Sequence, residues 1–111
     1  IVKSSDYSPF WIRYLGQIPP QDDENEYCSK YVDPVLELYD VKNIIVGHTP
    51  QSFITDEGIN STCNNKVWRV DVGVSDAFSI YEDDFKKKGK TLDRSVQVLE
   101  ILNDREFKVL K

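Results

Sequence analysis

Methionine is absent from the 111-residue sequence, and histidine occurs only once. The chain opens on Ile1-Val2-Lys3 rather than on an initiator methionine. We therefore expect it to be the C-terminal part of a longer protein, with the upstream half of the same domain outside this sequence. A single histidine also limits the metal chemistry of the chain itself, since metal sites in enzymes need several protein ligands.

Basic charge and long apolar runs are also scarce. The net charge is -5 and the isoelectric point is about 4.8, whereas a surface that binds nucleic acid normally carries a basic excess. No apolar run approaches the roughly 20 residues that a membrane-spanning helix needs. Hydrophobic residues at 40% and aromatic residues at 12% indicate a packed globular domain rather than a disordered chain.

Cysteine occurs twice, as Cys28 and Cys63, and neither belongs to a C-x-x-C pair. Two isolated thiols in an acidic domain favour a reducing compartment over a disulfide framework. We therefore expect both cysteines to be reduced and not catalytic, in a cytoplasmic protein.

The stretch Lys42–Gln51 (K-N-I-I-V-G-H-T-P-Q) contains the histidine, His48. The β-branched run Ile44–Val46 is typical of a short, fully buried strand, and Gly47 ends it. A histidine at the exit of a rigid strand is well placed to bind a metal or to transfer a proton. The alternative is a structural histidine that hydrogen-bonds a backbone carbonyl.

Aromatic residues surround Arg13 in the stretch Ser8–Tyr14, S-P-F-W-I-R-Y. One interpretation makes Arg13 a surface residue whose aliphatic part packs on these rings. The other makes it a clamp for an anion, a task that suits the planar guanidinium group.

Periodicity elsewhere predicts a helix, a strand and a hairpin. The helix begins near Tyr27, and Pro34 either ends a first helix or opens a second one. The residues that give its spacing of three and four are Tyr31, Val35, Leu38 and Tyr39. The strand covers Val67–Val72, with Asp71 pointing away from its apolar face. The hairpin pairs Ser95–Leu102 with Glu106–Lys111 around a turn at Asn103-Asp104.

Polar composition predicts three surface loops, at Gln17–Glu26, Gln51–Lys66 and Glu82–Asp93. The acidic run Asp22–Glu26 is interpreted as solvated rather than as a cation site. The basic run Lys86–Lys90 is interpreted in the same way, although it could attract a phosphorylated partner.

Three stretches together resemble the calcineurin-like metallophosphoesterases, and most closely the Shewanella-like group of phosphoprotein phosphatases. These are Ser8–Tyr14, Ile44–Gln51 and Trp68–Ser75, W-R-V-D-V-G-V-S. They follow the order of the family motifs G-P-x-W-x-R, V-V-G-H-T-P-Q and W-R-V-D-x-G-M-S, before a closing hairpin. Ser8, Tyr14 and Val74 depart from the usual residues of the family.

The resemblance implies the C-terminal portion, over residues 1–111, of a four-layer α/β/β/α metallophosphoesterase domain with mixed sheets. It implies that His48 ligates one metal of a pair (Mn, Fe or Zn) and that Arg13 binds the substrate phosphate. Asp71 would have a possible orienting role. The motifs that supply most metal ligands in the family, G-D-x-H-G, G-D-x-x-D-R-G and G-N-H-E, are not in this sequence. We therefore expect the fragment alone to be inactive.

The implied function is metal-dependent hydrolysis of a phosphoprotein, of the serine/threonine type or of the tyrosine type, or of a small phosphoester, by the complete protein. Two alternatives remain open. One is a non-catalytic interaction module that keeps the fold, and the other is a dinucleoside polyphosphate hydrolase of the same superfamily.

Overall fold

A computed structural model of the chain describes residues 12–18, 26–55 and 57–111. The Ser8-Pro9 turn, Phe10, Trp11 and residues 22–25 of the acidic run lie outside these ranges. Within them the structure is a small mixed α/β domain with two sheets and a few helices. In chain order, its elements are α1 (Tyr14–Gln17), a π-helical turn (Cys28–Val32), α2 (Asp33–Tyr39), β1 (Ile44–Val46), a 3₁₀ turn (Gln51–Phe53), β2 (Asn60–Thr62), β3 (Val67–Arg69), a 3₁₀ helix (Asp76–Tyr81), α3 (Glu82–Lys87), β4 (Val98–Leu102) and β5 (Glu106–Leu110).

The first sheet has the order β1-β3-β2, with β3 parallel to β1 and antiparallel to β2. Val67 and Trp68 of β3 point to opposite faces because side chains alternate along a strand. Val67 packs with Val32 and Leu36 of the helical segment on one face. Trp68 stacks on Phe107 of the β4–β5 hairpin on the other, with 5.1 Å between ring centroids. The segment of the π-helical turn and α2, the first sheet and the hairpin therefore form successive layers.

The predicted hairpin is confirmed. Val98 pairs with Leu110 and Leu102 pairs with Glu106, which leaves a turn with Asn103 and Asp104 at positive φ. Asparagine and aspartate tolerate this left-handed conformation better than most residues, which explains their place in the turn.

The helix that was predicted from Tyr27 is present, but its buried side differs from the expected stripe. Cys28, Val32 and Leu36 are buried, whereas the residues that gave the helical spacing are exposed: Tyr31, Val35, Leu38 and Tyr39. Val32 precedes α2 directly, and Pro34 lies in the first turn of that helix, where a missing N–H costs little.

Three other expectations are wrong. The strand β1 is not fully buried, since Ile45 is 47% exposed where β1 forms the edge of the described sheet. The predicted loop Gln51–Lys66 contains β2, whose polar side chains Asn60 and Thr62 are buried. The predicted loop Glu82–Asp93 begins with α3, which has three acidic residues in its first turn and two lysines in its last, the favourable order for a helix dipole.

The prediction that both cysteines are reduced is also wrong. Cys28 and Cys63 form a disulfide whose Cα atoms are 5.5 Å apart. It joins the start of the helical segment to the turn between β2 and β3, inside the core cluster that contains Val32 and Val67. The cysteines therefore no longer favour a reducing compartment.

No described helix is both long enough and apolar enough to span a membrane.

Candidate functional site

His48 lies in the loop that leaves the carboxyl end of β1. Its side chain is exposed, and its backbone has a φ of 66°. Residues other than glycine rarely adopt this left-handed conformation, although histidine is among those enriched there. Such a conformation persists when the surrounding structure fixes it, and it is often found at functional sites.

Hydrogen bonds hold this loop on both sides of His48. Before it, the N–H of Val70 donates to the carbonyl of Val46 at 2.9 Å. After it, the N–H of Gln51 donates to the carbonyl of Asp71 at 2.7 Å. The loop is thus fixed to the chain that follows β3, the neighbouring parallel strand. This end of parallel strands is where α/β sheets commonly bind ligands.

Arg13 is half-buried and occupies the N-cap position of α1. This single helical turn lies against the His48 loop. A Cβ atom at Gly16 would be 2.5 Å from the Cβ of Thr49, so only glycine permits this close approach. The Gln51 side chain also donates to the Gly16 carbonyl at 2.9 Å. The segment that carries Arg13 and the loop that carries His48 are therefore in direct contact.

A cavity of about 330 Å³ lies where these two segments meet. Ile12 and Tyr14, on either side of Arg13, line it together with Gly47 and Thr49, on either side of His48. Tyr27 also contributes to the wall, and burial raises the pKa of its phenol. Neighbours of Arg13 and of His48 thus line one cavity, but Arg13 and His48 themselves are not among its lining residues, and their roles stay predictions.

Asp71 follows β3 as His48 follows β1, but its carboxylate has a local partner. Its Oδ1 accepts a hydrogen bond of 2.9 Å from the N–H of Gly73, whose φ is 67°. This contact stabilises a turn. A further orienting role for Asp71 stays a prediction.

The side chains present do not by themselves fit a metal pair. In residues 12–18, 26–55 and 57–111, no three histidine, cysteine, aspartate or glutamate residues come together as a metal site would require. His48 can supply one donor, whereas metal sites in enzymes normally take three or more protein ligands per ion. The residues that the structure describes therefore account for at most a part of such a site.

Sequence reasoning missed a buried polar network beside the site. Gln51, Asn60 and Arg69 are at most 8% exposed and are linked by hydrogen bonds. Burial lowers the pKa of the Arg69 guanidinium, and the charge of Glu57 acts in the opposite direction. The only available signal was the position of Gln51 and Arg69 inside the two motifs G-H-T-P-Q and W-R-V-D.

Among the proteins to which the chain is similar, one is named as a phosphatase and another is uncharacterized. It is 37% identical, over 98% of its length, to the uncharacterized protein R398 of Acanthamoeba polyphaga mimivirus. It is 31% identical, over 77% of its length, to Shewanella-like protein phosphatase 1 of Plasmodium berghei (strain Anka). The chain spans 42% of the first protein and 22% of the second. No protein-family model and no solved structure matches it.

Proposed function

We propose that this chain is the C-terminal portion of the catalytic domain of a metal-dependent phosphoester hydrolase, a phosphoprotein phosphatase of the Shewanella-like group. The observation that carries the proposal is the similarity, over 77% of the chain, to a protein named as such a phosphatase. Activity would belong to the longer protein, with the remaining layers of a four-layer sandwich supplied by the upstream half of the domain. Its substrate would be a phosphorylated protein or a small phosphoester.

The contact between α1 and the His48 loop supports this proposal. Arg13 at the start of α1 would bind the phosphate through two parallel N–H donors and offset the charge that develops in the transition state. His48 would give one ligand to a metal pair of Mn, Fe or Zn, and the other ligands would come from outside this chain.

The second candidate is a non-catalytic interaction module that keeps the fold. The whole protein should be assayed with p-nitrophenyl phosphate, a phosphoserine peptide, a phosphotyrosine peptide and a dinucleoside polyphosphate, with Mn²⁺ and after chelation. Hydrolysis of the monoesters that depends on metal supports the proposal. Cleavage of the dinucleoside alone would indicate a different hydrolase, and no cleavage at all would indicate the interaction module.

Arg13 provides the sharper test of phosphate binding. Arg13→Ala should lower turnover by roughly 10²–10³, the scale seen when one transition-state donor is removed. Arg13→Lys keeps the charge but loses the two-donor fork, so it should stay clearly impaired. If Arg13→Ala lowers the melting temperature and leaves the rate unchanged, Arg13 is a packing residue.

A further inference from the structure

Two buried side chains donate hydrogen bonds to the carboxyl end of α1. Gln51 Nε2 donates to the Gly16 carbonyl at 2.9 Å, and the Arg69 guanidinium donates to the carbonyl of Ile18, the C-cap residue. A helix of four residues has no stability of its own, because a helix this short does not recover the cost of nucleation. The position of α1 therefore depends on contacts such as these.

The Gln51 side chain also contacts the His48 loop. Its Nε2 donates to the Thr49 carbonyl at 2.8 Å, so one amide group joins the residue after His48 to the third residue after Arg13. Gln51 is fully buried and cannot exchange these partners for water.

Asn60 connects the two donors into one network. Its Nδ2 donates to Gln51 Oε1 at 3.1 Å, and its Oδ1 accepts a bond of 2.7 Å from Arg69 Nε. Within the ranges that the structure describes, Arg69 forms no ion pair with a carboxylate, and its hydrogen-bond acceptors are the neutral oxygens of Asn60 and Ile18. A buried guanidinium held this way is aimed by Asn60 rather than by an opposite charge.

We propose that Gln51, Asn60 and Arg69 are positioning residues, which set the distance and direction between the α1 segment carrying Arg13 and the loop carrying His48. The inference rests on the proposed function, since it assigns the network to a phosphate site. A displacement of about 1 Å by a change away from the chemistry can reduce catalysis by roughly 10²-fold.

The test uses Gln51→Met in the whole protein, which keeps the side-chain volume and removes the amide. Ser52→Ala is the matched control. Ser52 is equally buried in the same turn, but its hydroxyl donates its hydrogen bond to the Val72 carbonyl, which belongs to neither site segment. If Gln51→Met does not fold, Gln51→Asn keeps an amide that is too short to reach Gly16. The readouts are kcat and KM for p-nitrophenyl phosphate and hydrogen exchange of residues 14–18 and 47–49.

We expect Gln51→Met to lower kcat/KM by roughly 10²-fold in the wild-type background. In the Arg13→Ala background it should add much less, because the group it positions is gone. Ser52→Ala should act independently of Arg13→Ala, with effects that multiply to within about twofold. If the effects of Gln51→Met and Arg13→Ala on kcat/KM also multiply, the proposal is overturned.

Hydrogen exchange separates this inference from the proposed function. If the wild-type protein hydrolyses no phosphoester, the proposed function fails. Faster exchange at both 14–18 and 47–49 in Gln51→Met, but not in Ser52→Ala, would still support positioning. Unchanged exchange in Gln51→Met would overturn it, whatever the activity.

Discussion

Loss of the Cys28–Cys63 disulfide should strongly destabilise the domain. The bond closes a loop with a sequence separation of 35 residues, which includes α2, β1 and β2. Both cysteines are buried, at 5% and 1% exposure, in the core on the helical face of the sheet. Without the bond, the unfolded chain gains conformational entropy, and only the noncovalent contacts of the core stabilise the native fold.

The size of the effect follows from loop length. For 35 residues, the chain-entropy relation gives about 13 cal/mol/K, or about 4 kcal/mol at 25 °C. Small domains lose roughly 1–3 kcal/mol of stability per molar urea. The urea midpoint should therefore fall by on the order of 2 M.

The assay is urea unfolding of the whole protein with and without dithiothreitol, followed by circular dichroism. Cys28→Ala/Cys63→Ala is the control, because its midpoint should not respond to the reductant. Alkylation of protein that is purified and unfolded without reductant, with mass mapping of Cys28 and Cys63, gives an independent check. Alkylation of both residues under these conditions, or a midpoint unchanged by dithiothreitol, would refute the reasoning.

Three smaller predictions concern contacts outside the disulfide. Gly16→Ala should destabilise the protein by about 1–3 kcal/mol through overpacking, and Thr49→Gly should restore part of the loss in thermal melts. The hydrogen bond from Arg94 lowers the pKa of Glu82 in the folded protein. The stability from this contact should therefore be present above the ordinary carboxylate pKa and be lost as the pH falls through the lowered pKa of the folded state. An unshifted pKa of Glu82 in an NMR titration would contradict this. Asn60 belongs to an N-x-S/T triplet, but its buried amide makes hydrogen bonds that an attached glycan would break. Folded protein secreted from eukaryotic cells should therefore carry no glycan at Asn60, as checked by mass spectrometry.

Local sequence patterns predicted the elements that depend mainly on residues close together in the chain. The closing hairpin follows from alternation and from two residues that tolerate positive φ in its turn, Asn103 and Asp104. The strand β1 and the helix before it follow from β-branched and helical spacing. The strand that was predicted over Val67–Val72 is shorter, since β3 ends at Arg69; Val70 still bonds to Val46 of β1, and Asp71 then accepts a hydrogen bond from Gln51.

Long-range contacts decided what the patterns could not predict. The strand β2 reads as a polar loop, and its burial depends on partners nine residues away on either side, Gln51 and Arg69. The buried side of the helix includes Cys28, whose partner Cys63 lies 35 residues further along the chain. The candidate site shows the same division. The motifs predicted roles for His48 and Arg13, which stay predictions, whereas the close approach of Gly16 to Thr49 is a property of the folded chain that no motif indicates.

The most direct test of the proposed function is the metal content and activity of the whole protein with His48 replaced. His48→Asn is the suitable variant, since asparagine tolerates the left-handed backbone at φ 66° but lacks the imidazole, and Ser52→Ala serves as a folded control. Mass spectrometry of bound metal and p-nitrophenyl phosphate hydrolysis are measured on the same preparation. The account predicts that His48→Asn keeps its circular dichroism spectrum and loses both bound metal and hydrolysis. Full metal content with full activity in this variant would contradict it.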